Sequence, residues 1–424
     1  MCINGSSTLI CLVREGLSGL FKTRGGITRM TELTSRDRVL RALHHQPLDY
    51  IPCCFMSFTA LRRRCQENLY ELVKAERAMG LDSFLFIPTL SRPQRPDHPE
   101  LRGLPARFHP SVKVRQWRED APGQHAILHK EYSTPAGKLQ TRVRLSDDWP
   151  HGNHIPFIDD YQAPRAIKPL LTGEAAELEA LQYLLAAPRT GDIAQFEFEA
   201  ERAHAFTREH GVLLAGGWGV GVDMADWLCG FENLMMLEHD QPAFVAELLE
   251  MIHSWNRQRM AVVLSANVDL YFYRAWYEGC DFLSPKFFRQ VIVPHLKSDA
   301  ALAHEHGAQF GYICSTGISP LLDDYREVGV DVIIGVDPVQ GTHTNLGLIK
   351  KKTAGRICLW GGVSGSLTVE LGEANEIRAA VRLALAALGP EGFILSPVDN
   401  ITVDAPKTWS NLHVFIDEWQ RCRA

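Results

Sequence analysis

Gln309-Phe310-Gly311-Tyr312-Ile313-Cys314-Ser315-Thr316-Gly317 is a short apolar run that stops at a thiol and a small-residue turn. Extended apolar residues followed by Ser, Thr and Gly read as a buried strand that ends in the cap of a helix, here expected to begin near Ile318. Cys314 therefore stands at the carboxyl end of a strand. In α/β folds that edge carries the chemistry, because loops and helix amino termini gather there.

Working outward, residues 50–55, 83–87, 212–215, 268–272, 308–313, 332–336, 357–360 and 393–396 are candidate strands, with helical stretches such as 61–79, 242–264 and 284–306 between them. Strand alternating with helix is the signature of a parallel sheet, and eight strands is the count of a closed (β/α)8 barrel of the TIM type. No sequence repeat is visible, so the barrel rests on this count. The first helix is expected over 34–43, capped by Thr34 or Ser35, with Val39, Leu40 and Leu43 as its apolar stripe.

Between about 91 and 166, after the second strand, the pattern changes. Alternating runs at 112–119, 126–132 and 138–145, the last two separated by Thr134-Pro135-Ala136-Gly137, predict an antiparallel insertion with a hairpin turn. His151 and His154 in Trp149-Pro150-His151-Gly152-Asn153-His154 have the spacing of metal ligands. A polar loop favours the plainer reading of exposed histidines.

A chain of 424 residues with 46% hydrophobic and 9% aromatic residues supplies the core of one barrel-sized domain plus an insertion. The formal charge of −6 and the scattered Lys and Arg argue against a nucleic-acid partner, with Arg62-Arg63-Arg64 as the local exception. No run approaches the length of a membrane span. Ten cysteines without a CxxC pair suggest a reduced, cytoplasmic compartment. Residues 1–29 read as a disordered extension or a misplaced start before Met30, with the barrel over 30–424.

If the barrel forms, its strand ends converge on one mouth. Trp218 follows the third strand, Tyr273 and Arg274 the fourth, Tyr312 and Cys314 the fifth, Asp337 and Gln340 the sixth, Trp360 and Gly361-Gly362 the seventh, and Asp399 the eighth. Trp218, Tyr273, Arg274, Gln340 and Trp360 are the candidate substrate contacts.

The ordered set Thr34-Ser35-Arg36-Asp37-Arg38-Val39-Leu40-Arg41-Ala42-Leu43-His44-His45-Gln46, Gly230-Phe231-Glu232-Asn233, Leu283-Ser284-Pro285, the Cys314 strand end, Trp360-Gly361-Gly362-Val363 and Phe393-Ile394-Leu395-Ser396 resembles the uroporphyrinogen decarboxylase superfamily. The resemblance runs from Thr34 to the end, interrupted by the insertion, and implies the same barrel. Decarboxylases of that superfamily carry an Arg-Gln-Ala-Gly-Arg-Tyr loop that grips substrate carboxylates. Here Pro52 is followed by Cys53-Cys54-Phe55-Met56-Ser57, which removes the charged anchor a polyanionic porphyrinogen needs.

The resemblance is nearer to the zinc-dependent, corrinoid-linked methyltransferases, in which a His-x-Cys at the fifth strand end and a late cysteine hold zinc. This chain has Tyr312-Ile313-Cys314 and, at the late position, Asp399. Two readings follow: metal held by Cys314 and Asp399 with a carboxylate such as Glu278, or acid and base work by Tyr312, Asp399 and Glu278. The function implied is a methyltransferase or demethylase that moves a methyl group between a small substrate and a corrinoid or thiol acceptor, the corrinoid being carried by a partner protein. A decarboxylase of porphyrin biosynthesis and a non-catalytic ligand-binding barrel are the alternatives.

Overall fold

The computed structural model describes residues 32–88, 103–104, 106–120, 122–342 and 344–423. The expected extension at 1–29 lies outside them. Seven parallel strands make the central sheet: β1 (Phe84–Ile87), then, after the insertion, β6 (Leu213–Val220), β7 (Leu270–Arg274), β8 (Gln309–Ile313), β9 (Val332–Val336), β10 (Cys358–Ser364) and β11 (Phe393–Val398). Their order in the sheet is β1-β6-β7-β8-β9-β10-β11, the order in sequence. β7, β9 and β11 are buried along their whole length. Their inner face fills the sheet's concavity and their outer face packs on helices, which is why they read as unbroken apolar runs.

The expected first strand at 50–55 does not form, so the sheet is not a closed eight-stranded barrel. Pro52-Cys53-Cys54 bridges the gap instead: Cys53 pairs with Leu395 on β11 and Cys54 with Asp82 just before β1. Cys54 N donates to Leu395 O at 3.0 Å, Leu395 N to Pro52 O at 2.9 Å and Asp82 N to Cys53 O at 2.8 Å. From inside, the Trp360 indole donates to Cys54 O at 2.7 Å. Pro52 has no N–H to give a ladder, which helps keep this segment to isolated bridges.

The insertion carries a separate antiparallel sheet, β2 (Lys113–Glu119), β3 (Ile127–Thr134), β4 (Gly137–Arg144) and β5 (Ala166–Lys168). β3 and β4 meet through the expected turn, with Thr134 opposite Gly137. Tyr132, Leu139 and Phe157 join the main core, while Leu128, Val143, Trp149 and Ile155 make a smaller one. The insertion is thus seated on the main body through an apolar face.

Helix starts follow their caps. Thr34 accepts from Asp37 N ahead of the helix Ser35–Leu43, which buries Val39, Ala42 and Leu43. The expected helix 61–79 is two helices, Thr59–Arg64 and Leu69–Ala78, the second capped by Asn68. The stretch 284–306 is also interrupted: Pro285–Phe287 is helical, Phe288–Ile292 is a π segment, and Val293–Glu305 resumes the α-helix. Pro294 accounts for this, since it removes a donor from the ladder and the wider turn absorbs the loss. Among the described residues no helix is long and apolar enough to cross a membrane.

Candidate active site at the strand carboxyl ends

Arg274, the last residue of β7, organises the mouth. Its guanidinium is 2% exposed, pairs with Asp223, and donates to both oxygens of Asp160 at 2.6 Å. It lies 4.4 Å from the centroid of a Trp227 ring and 4.6 Å from one of Trp276. Burial would lower its pKa, but Asp223 and Asp160 hold it above the ordinary value, so the cation is permanent.

The partners come from three places. Asp223 and Trp227 belong to the helix Val222–Cys229 after β6, and Trp276 and Tyr277 follow β7. Asp160 comes from the end of the insertion and also accepts from the Trp227 indole at 2.7 Å and the Tyr277 hydroxyl at 3.1 Å. Trp276 N and Tyr277 N donate to Asp223 at 3.0 and 2.9 Å.

Carboxyl groups crowd this one cation. Burial raises Asp226 to about 7, and Asp223 and Asp160 push it the same way. Burial raises Asp399, just beyond β11, to about 6, with Arg274 opposing and Asp160 adding to the rise. Asp399 is partly exposed, unlike Asp226 and Glu278, which are buried. In the loop after β9, the Gln340 side-chain amide donates to Asp337 at 3.1 Å and to the Ser366 hydroxyl at 3.2 Å.

Beneath the mouth lies a sealed group. The Tyr312 hydroxyl donates to Glu278 Oε2 at 2.5 Å, and Glu278 Oε1 accepts from Val222 N at 2.9 Å. Burial and the nearby Asp223 raise Glu278 to about 8 despite the Tyr312 bond. The Cys314 thiol donates to Thr316 O at 3.4 Å and is pushed up by burial. Tyr273 stacks on Tyr312 at 5.8 Å and is fully buried.

The structure brings Tyr312, Glu278 and Cys314 together and sets Asp399 under the influence of Arg274, whereas the sequence reading gathers Tyr312, Cys314, Glu278 and Asp399 as one set. Trp360 is fully buried, with its indole donating to Cys54 O rather than facing the mouth with a free donor. Trp218 packs on Phe86 and Trp276 at 5.8 and 5.9 Å and forms an aromatic wall. Asp160, Asp223, Trp227, Trp276 and Tyr277 were missed. The only sequence signal for Asp223 was its place in the first turn of a helix after a strand.

Zinc does not fit this arrangement. Among the described residues no group of three His, Cys, Asp or Glu side chains is placed to hold a metal ion. Tyr312 stands where the methyltransferase pattern has its histidine, and it is occupied by Glu278. His151 lies 3.1 Å from Asp159 rather than in a ligand set with His154. Of the three arginines, two already have carboxylate partners, Arg62 with Glu67 at 2.8 Å and Arg64 with Asp404 at 2.6 Å, and Arg63 donates to Thr402 O at 3.2 Å.

Comparison with known proteins bears on the fold and the family. A methyltransferase from Methanosarcina mazei shares the fold, with a TM-score of 0.58 at 16% identity over 93% of this chain and 100% of that one. A B12-independent methionine synthase from a Shewanella species is more distant, with a TM-score of 0.43 at 8% identity over 88% of this chain and 97% of that one. No curated protein matches the sequence. The family profile for uroporphyrinogen decarboxylase (URO-D) matches residues 154–421, well over half of the chain. The chain belongs to the uroporphyrinogen decarboxylase family.

Proposed function

We propose that this protein is a methyltransferase of the family, moving a methyl group between a small substrate and a thiol or corrinoid acceptor, with carboxyl chemistry in place of a metal. The observation that carries the reading is Asp399, a partly exposed carboxyl raised to about 6 at the mouth, while Tyr312 and Cys314 are tied up below it. Asp399 takes the proton of an acceptor thiol. The sulfur pair then forms the S–C bond as the methyl donor's bond breaks, its electrons leaving with the departing group. The aromatic walls of Trp218 and Trp276 shield the transfer from water, and Arg274 fixes Trp276 in place. A corrinoid on a separate protein would supply a carrier for the methyl group.

Porphyrinogen decarboxylation is disfavoured on charge. A polycarboxylate needs free cations, yet Arg274 is already matched by Asp223 and Asp160 and is surrounded by further carboxyls. The similar fold of the Methanosarcina mazei methyltransferase is in keeping with the reading. The test incubates the purified chain with a thiol and a panel of methyl donors, including methylated corrinoid, and in parallel with uroporphyrinogen. Thioether formation above background is expected, and coproporphyrinogen formation would overturn the proposal in favour of the decarboxylase.

A further inference from the structure

The two faces of the insertion's antiparallel sheet differ in character. Side chains alternate along a strand and share a face with the residue directly opposite. Tyr132 stands opposite Val114 and Leu139, and Tyr132 and Leu139 turn inward onto the main core. The alternate rows therefore face outward, and they carry Lys113, Arg115, Lys138, Arg142 and Arg144 against two carboxylates, Glu119 and Glu131. Both carboxylates are taken, Glu131 by Lys138 at 3.0 Å and Glu119 by the His129 ring at 2.9 Å. Among the described residues, Lys113, Arg142 and Arg144 have no ion-pair partner. A surplus of positive charge thus stands on one face of a chain whose formal charge is −6. Charge on an edge strand can serve only to keep sheets from pairing edge to edge. That accounts for Lys113 and Arg115 on β2, at the sheet's edge, but not for β4, which has a strand on either side and supplies the other cations.

We propose that this outer face docks an acidic protein, one that presents several Asp and Glu side chains to it. Size sets the class. Strands lie about 4.8 Å apart and rise about 3.4 Å per residue, so the cations from Lys113 on β2 to Arg144 on β4 span roughly 10 by 20 Å. A lone phosphate or carboxylate reaches only a part of that area, whereas a row of acidic side chains matches the whole of it. Single-stranded nucleic acid relies on ring stacking, and the face offers it little. Its large aromatic is Trp117, on which His129 stacks at 4.8 Å while the Arg115 guanidinium lies 5.0 Å from the ring centroid. A long polyphosphate would also run past the face onto an acidic chain, where like charge repels it. A protein can confine its acidic side chains to the patch that meets this one. The family match covers residues 154–421, so this face lies outside it. The inference does not depend on methyl transfer.

The test follows a fluorescein-labelled deca-glutamate peptide by anisotropy on the full chain, with labelled deca-thymidylate as the rival polyanion. Saturable peptide binding is expected at about 50 mM salt, weakening at least about tenfold by about 300 mM as screening shortens the reach of each charge. Arg142→Glu combined with Arg144→Glu should weaken it at least about tenfold at an unchanged melting temperature. Lys113→Glu combined with Lys138→Glu, at the other end of the face, should do the same, so the test survives if one pair unsettles the sheet. Lys351→Glu combined with Arg356→Glu makes the same charge change at exposed positions around the end of the helix Leu346–Thr353, and should leave binding within about twofold. Absence of saturable peptide binding overturns the proposal. Equal losses in all three variants do so as well, since they would mark net charge rather than this face. Deca-thymidylate binding that is tighter than the peptide's and lost in the first two variants would assign the face to nucleic acid and overturn it too.

Discussion

Arg274 matters at the residue scale because it is a buried charge whose value depends on its partners. Replacing it by Met would leave Asp223, fully buried, and Asp160 facing each other without a cation. Breaking a buried pair in this way costs about 3–5 kcal/mol, so Arg274→Met should lose that much in a denaturant titration. A loss under about 1 kcal/mol would mean that the carboxyls are already protonated and the pairing carries little. Of this cluster, the sequence disclosed Arg274 and Asp399, because both stand at strand ends. Asp160 was not legible: it lies 114 positions from Arg274, in an insertion whose docking no local pattern encodes.

Elements are legible where their periodicity is long and uninterrupted. The helix Pro242–Leu264 coincides with its expected span, and β9 likewise. Misreadings cluster where glycine or proline has two meanings. Gly361-Gly362 falls just past the candidate strand 357–360, yet β10 runs through it to Ser364. The reason is close approach: a Cβ on Gly361 would lie 2.8 Å from both Val336 N and Val336 O, and its φ of +141° suits glycine. Gly361→Ala should therefore cost about 2–4 kcal/mol in chemical denaturation. Gly355→Ala, at φ +70° with open space around the added methyl, should cost only about 1 kcal/mol. Equal losses at both positions would remove the packing explanation.

At the scale of the whole molecule, a parallel sheet with its strand ends gathered on one side was readable from strand and helix alternation. The closed eight-stranded barrel expected from the strand count does not form, because residues 50–55 meet β11 and β1 only through isolated bridges at Cys53 and Cys54, a difference that leaves no periodic trace in the sequence. The same holds for the site: the strand ends were located, but whether Tyr312, Cys314 and Asp399 would meet around a metal depended on Glu278 claiming Tyr312. The account therefore turns on Asp399 as a base with Cys314 as a bystander. A carboxyl raised to about 6 is ionised above that pH, so the base is present at neutral pH and lost as pH falls through 6. The decisive measurement is the pH–rate profile of thiol-dependent methyl transfer in the parent, Asp399→Asn and Cys314→Ala. The parent rate should rise through about 6 to a plateau, Asp399→Asn should lose at least about 100-fold together with that limb, and Cys314→Ala should stay within a few-fold of the parent. Retention of the limb in Asp399→Asn, or loss of activity in Cys314→Ala together with bound zinc in the parent, would contradict the account.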